Sequence, residues 1–165
     1  MEIIKKVFSN GFMLFLPMLI WNILFTKYLP PPYGEETFGS NIPAVISIGE
    51  LVMRICICGL PIIIQLNFSG TLAKAGIIVY VIGMLLYFLS WVLLIVFPQS
   101  IFSKSIIGFT ASTYTPLIWL IGFTLLSDSF YFKIPYSRWY FFALSVLFIG
   151  FHFSHAVIVW NRVYH

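Results

Sequence analysis

Along this chain apolar residues gather into five long blocks, covering residues 7–27, 41–66, 74–97, 106–127 and 138–160. Each block reaches the roughly 20 residues that a helix needs to cross about 30 Å of hydrocarbon. The breaks between blocks differ in their chemistry. Pro30-Pro31-Pro32 followed by Tyr33-Gly34 is a stiff extended stretch that cannot carry a helix forward. Asn67-Phe68-Ser69-Gly70 reads as a turn, Pro98-Gln99-Ser100 closes the third block, and Asp128-Ser129 with Pro135 separates the fourth from the fifth. The pattern predicts an all-α integral membrane bundle of five transmembrane helices, a single domain over residues 1–165. Neither an internal repeat nor a low-complexity segment interrupts it.

Polar positions inside the blocks are few and ordered. Wound as a helix at 100° per residue, the second block places Ser47, Glu50, Arg54, Cys58, Pro61 and Gln65 within an arc of roughly 80°. This stripe predicts that Glu50 and Arg54 turn inward while Cys56 and Ile63 face lipid. Gly59 and Pro61 predict a kink that frees a backbone carbonyl beside the stripe. In the fifth block, His152 and His155 share a comparable arc with Ser145. Gly76, Tyr80, Gly83, Tyr87 and Ser90 give the third block a face of small residues and tyrosines, suited to close packing and hydrogen bonding. The fourth block opens with Thr110, Ser112, Thr113 and Thr115 ahead of Pro116, and the first contributes Asn22.

Depth links these positions. At 1.5 Å per residue, Glu50 lies roughly 10 Å and Arg54 roughly 16 Å below the outer boundary, with His155 at roughly 9 Å and His152 at roughly 13 Å. Asn22, Ser90 and the threonine cluster share that outer half. A compact bundle would therefore gather its polar groups around one outward-opening cavity.

Composition and charge narrow the class. The chain is 61% hydrophobic and only 8% charged, against roughly 25% charged residues in soluble domains. A water-soluble fold is excluded. The net charge of +4 comes from basic residues that are scattered rather than clustered, Lys5-Lys6 being the one adjacent pair, which points away from nucleic acid and toward topology. With the N-terminus cytoplasmic, Lys5, Lys6, Lys74, Lys133 and Arg138 fall inside, and Lys27, Lys104 and Arg162 fall outside. Five against three favours a cell-membrane protein with its N-terminus in the cytoplasm and its C-terminus outside. Lys5 and Lys6 precede an apolar run long enough to span and lacking a small-residue cleavage pattern, so that segment is expected to remain as a helix. Trp21, Trp91, Trp139 and Trp160 lie near block ends, as interfacial anchors do, whereas Trp119 does not.

Glu50 and Arg54 are the two charged residues placed in the interior of a block rather than at an end or in a connection, and near the bilayer centre a charge costs at least about 2.5–3.5 kcal/mol. Their i, i+4 order is the favourable one for an ion pair. The bland reading is a pair that fixes helix packing. The functional reading gives Arg54 an anionic ligand group and makes Glu50 its counter-ion, since guanidinium suits carboxylate and phosphate. His152 and His155 read as interhelical hydrogen-bonding groups or as a proton relay with Glu50. A metal is not expected, because Arg54 beside Glu50 opposes a cation. Haem is not expected either, because two histidines on one helix cannot fill both axial positions. Cys56 and Cys58 point to different faces and cannot bridge each other. No nucleophile elbow, zincin helix, P-loop or paired-carboxylate motif is present.

The expectation is a multi-pass membrane protein that binds, and by extension transports, a small anionic or amphipathic molecule in the outer half of the bundle. Arg54, Glu50, His152, His155, Asn22 and Thr113 are its candidate ligand-binding residues. An alternative is a membrane-embedded enzyme acting on a lipid-soluble substrate, with His155 or Glu50 as acid and base. Another is a non-catalytic subunit of a membrane complex. Expected partners are membrane lipid, the ligand, and a second copy or a larger complex; nucleic acid is not among them.

Overall fold

The computed structural model describes residues 9–165. Lys5, Lys6 and the start of the first block lie outside the described residues. Helix dominates: α1 (Leu16–Phe25), α2 (Glu35–Phe38), α3 (Ala44–Gly59), α4 (Gly70–Val96), α5 (Ile101–Lys104), α6 (Ile106–Phe109), α7 (Ala111–Tyr114), α8 (Pro116–Leu126) and α9 (Arg138–Tyr164). Short 3₁₀ turns extend α1 at both ends and α3 at its C-terminal end. Among the described residues, four helical stretches are long and apolar enough to cross a membrane: Gly11–Tyr28, Ala44–Ile63, Gly70–Val96 and Arg138–Tyr164.

The fourth block behaves differently. It is broken into α6, α7 and α8 at Thr110 and Thr115, and Pro116 opens α8, where its missing N–H costs nothing. Thr110, Thr115 and Thr124 each donate a hydroxyl proton to the carbonyl four residues back, and Thr113 to the carbonyl three back. Such back-bonding satisfies hydroxyls within one helix and tends to bend it.

The second block also ends differently from its expectation. Helix α3 stops at Gly59 rather than bending there, a 3₁₀ turn follows through Ile63, and Ile64–Leu66 is a strand, β1. Pro61 removes an N–H from the helical ladder, and the β-branched Ile62, Ile63 and Ile64 favour extension. Strand β1 pairs antiparallel with β2 (Ser127–Phe130), and Asn10 bridges to Gln65. Leu66 N–H also donates to Ser9 O (2.7 Å). One end of the molecule is thus tied by backbone bonds among residues 9–10, 64–66 and 127–130; we call it the ladder end.

Residues 31–40 form a strap at the opposite end. Tyr33 donates its hydroxyl to Phe109 O (2.6 Å), and Arg162 at the end of α9 donates to Ser40 O and Thr37 O. Burial pushes the Tyr33 phenol above its ordinary pKa, with Tyr164 adding to the effect, so the hydroxyl remains a donor. Trp160 Nε1 donates to Lys104 O (2.8 Å) at the same end.

Between the ends, α4 packs most extensively on α8, and α9 packs on both α3 and α8. The α4–α8 contact depends on glycine. A Cβ on Gly83 would lie 2.3 Å from Trp119 N, and one on Gly122 would lie 2.3 Å from Tyr80 N. Near the ladder end, Phe15, Trp119, Phe123 and Phe141 form an aromatic core with edge-to-face contacts, Phe15–Trp119 at 5.0 Å and Phe15–Phe123 at 5.3 Å. Trp91 and Trp119 are both buried in this core cluster, whereas Trp139 is exposed. Trp91 therefore packs in the interior instead of anchoring an interface.

Candidate functional site

Helix α3 approaches α9 closely because Gly49 has no side chain. A Cβ there would meet the Phe151 ring at 2.5 Å. The next residue, Glu50, consequently projects into α9 and is only 4% exposed. His152 and His155, three residues apart on α9, meet it from one side. His152 Nδ1 lies 2.9 Å from Glu50 Oε1, and His155 Nδ1 lies 2.5 Å from Oε2. Arg54, one turn along α3, donates Nη2 to Oε1. Both carboxylate oxygens are therefore occupied.

Each histidine is further fixed. Phe148 stacks on His152 with ring centroids 5.3 Å apart, and Phe38 of the strap stacks on His155 at 4.6 Å. His155 Nε2 lies 2.8 Å from Phe38 O. That contact assigns a proton. A carbonyl oxygen only accepts, so Nε2 carries hydrogen. Nδ1 and Glu50 Oε2, 2.5 Å apart, would then be two facing acceptors unless one more proton lies between them. With both of these contacts satisfied, the Glu50–His155 pair would hold one proton beyond a carboxylate and a neutral imidazole. His152 Nδ1 shares Oε1 with Arg54 Nη2.

Arg54 does not sit where the stripe placed it. Its side chain is 52% exposed, and only Nη2 is engaged by Glu50. Ser47 is exposed as well, while Ile57, Pro61 and Ile64 are buried. The buried face of this segment is turned by roughly 60° from the centre of the polar stripe. Arg54 therefore lies on the outer surface of the bundle rather than in the interior. Cys56 and Ile63, expected to face lipid, are half-buried, and both cysteines are free thiols.

The other candidates separate into two groups. Asn22 accepts from the Tyr87 hydroxyl at 2.5 Å through Oδ1, and its Nδ2 donates to Met18 Sδ at 3.2 Å. This α1–α4 pair is satisfied within itself and makes no hydrogen bond to the Glu50 cluster. Thr113 is buried with its hydroxyl spent on Thr110 O (2.7 Å), and no bond joins it to the Glu50 cluster. A separate groove of about 540 Å³ runs between α6–α8 and α9, lined by Ile107, Leu117, Val146, Gly150 and Phe153 among others. It is almost wholly apolar, and neither Glu50 nor Arg54 lines it.

Among the described residues no group of three or more His, Cys, Asp or Glu could hold a metal ion. Sequence reasoning found all four members of the cluster but missed Phe38, whose backbone carbonyl and ring complete the setting of His155. No residue-type signal marks a backbone acceptor. Comparison of the chain with family models, curated proteins and solved structures finds no match.

Proposed function

We propose that this is a multi-pass cell-membrane protein of five spans, a single domain, that binds a small anionic or amphipathic molecule at Arg54. Glu50 orients the guanidinium, and His152 and His155 hold Glu50. Transport of that molecule is the natural extension of such a site.

The observation that carries the reading is the half-exposed guanidinium of Arg54, which reaches Glu50 through Nη2 alone. Two histidines also contact Glu50, one at each oxygen. Arg54 therefore keeps donors beyond Nη2 for another partner. A guanidinium among apolar helices with donors to spare suits an anion. Carboxylate and phosphate match its fork of donors.

The five-span reading is supported by the tied ends. Residues 9–10, 64–66 and 127–130 meet at the ladder end, while residues 33–40, 104–109 and 155–162 meet at the strap end. If α4 crosses from the first group to the second, the chain must recross before β2 can pair with β1. The broken α6–α8 segment is the only stretch between them. Lys5 and Lys6 precede the first span in the sequence, and on that basis the N-terminal side, which leads into the ladder end, is taken as cytoplasmic.

The test is native mass spectrometry of purified wild type, Arg54→Met and the double variant Glu50→Gln/Arg54→Met, with thermal stability measured alongside. Wild type should carry an anionic or amphipathic molecule that both variants lack while still melting cooperatively. A folded double variant that retains the molecule would overturn the anion site. A second reading, a non-catalytic subunit whose Arg54 meets an acidic group on a partner helix, draws on the same half-exposed guanidinium. It is supported instead if an accompanying protein, rather than a small molecule, is lost with Arg54.

A further inference from the structure

We infer that the Glu50–His155 pair is a proton-binding site whose occupancy latches the strap over the strap end of the cluster. The inference concerns the regulation of the site proposed above, but it rests on His155 and Phe38 rather than on the charge of Arg54. Among the described residues His155 is the one side chain bonded both to the buried carboxylate and to the strap, through Nδ1 to Glu50 Oε2 and Nε2 to Phe38 O. Two acceptors on opposite edges of one imidazole demand two ring protons, or one ring proton and a protonated carboxyl.

Removing the shared proton to solvent leaves only one of the two contacts satisfiable at a time. If Nε2 keeps its proton, two lone pairs face each other across 2.5 Å at Glu50. If the proton moves to Nδ1, the Nε2 lone pair faces the Phe38 carbonyl at 2.8 Å. The second state keeps the carboxylate, which is buried, and gives up the strap, which lies at the surface. Deprotonation thus favours release of Phe38, and the His155 face beneath its ring opens toward the strap end.

Other charged and titratable groups around this point do not substitute for the proton. Arg54 and His152 are engaged with Oε1, and Tyr87 is bonded to Asn22. Glu35 and Glu36 on the strap are exposed, and Arg162 holds Thr37 O and Ser40 O rather than Phe38 O. The sign follows: the latch is closed where the pair is protonated and weakens as pH rises.

Hydrogen exchange of the strap amides reads the latch. Thr37, Phe38 and Gly39 donate to Gly34 and Glu35 carbonyls, so their protection reports strap order. In wild-type protein in lipid nanodiscs, protection corrected for intrinsic exchange should fall with rising pH, by up to about tenfold per pH unit, the slope of one linked proton. His155→Gln should remove that slope. Arg162→Gln should lower protection at every pH and keep the slope. A flat wild-type profile overturns the latch, as does an undiminished slope in His155→Gln. Arg54→Met separates the two readings. A retained slope with a retained ligand removes only the anion site, and a flat slope with a lost ligand removes only the latch.

Discussion

A carboxylate that is 4% exposed among apolar helices needs donors on both oxygens, and Glu50 obtains them from three side chains on two helices. The three contacts are unequal in consequence. Glu50→Ala leaves His152, His155 and Arg54 without their common acceptor, and breaking a buried charged network costs about 3–5 kcal/mol. Arg54→Met leaves Glu50 held by two histidines and removes one Nη2 contact of a side chain that is 52% exposed. The expected result is a large fall in melting temperature for Glu50→Ala and little change for Arg54→Met, measured in the same detergent. Comparable losses would show that Arg54 is an equal structural partner. At this scale the sequence was informative. An i, i+4 pair and two histidines at matching depth are local facts that helix geometry converts into proximity. The half-exposed state of Arg54 was not legible, because residue type sets what a helix face contains but not which neighbour covers it.

Helix contacts in this bundle depend on where a side chain is missing. At Gly83 a methyl group would strike the Trp119 backbone at 2.3 Å, and backbone on a packed helix cannot swing aside as a side-chain tip can. Gly83→Ala should therefore separate α4 from α8 and destabilise by about 1–3 kcal/mol, the range for overpacking. Gly150 in α9 is the control, since nothing lies within 4 Å of a Cβ there. Gly150→Ala should be neutral or stabilising by about 0.4–1 kcal/mol through reduced freedom of the unfolded chain. Thermal unfolding of the two variants beside wild type decides the matter; equal effects would show that the close approach is not what the glycine provides. The small-residue face of the third block was readable as a packing surface before any partner was known. The end of the second block was not. Ile64-Gln65-Leu66 suits a buried helix as well as a strand, and only its pairing with Ser127–Phe130 selects the strand.

Across the whole molecule, the number of crossings follows from which segments share an end. Four helical stretches are plainly long and apolar enough to span, and the fourth block is broken by its threonines and Pro116. Hydrophobicity alone leaves two threadings. With four spans, the chain after α4 stays on the strap side, so Lys133 shares a compartment with Glu36. With five, α6–α8 recrosses, Lys133 lies opposite Glu36, and the antiparallel pairing of β1 with β2 is accommodated without carrying backbone hydrogen bonds across a bilayer. Both Glu36 and Lys133 are exposed, so a cysteine at either is accessible to a reagent in its own compartment. The measurement is labelling of Glu36→Cys and Lys133→Cys in intact cells by a membrane-impermeant maleimide, with Cys56 and Cys58 replaced by serine. Labelling at position 36 but not 133, with both reacting after permeabilisation, is the expected outcome for five spans with the ladder end in the cytoplasm. Labelling at 133 alone would keep five spans and invert the orientation. Labelling of both in intact cells would mean that the broken segment does not cross, and the strap and ladder could not then lie on opposite faces of one membrane.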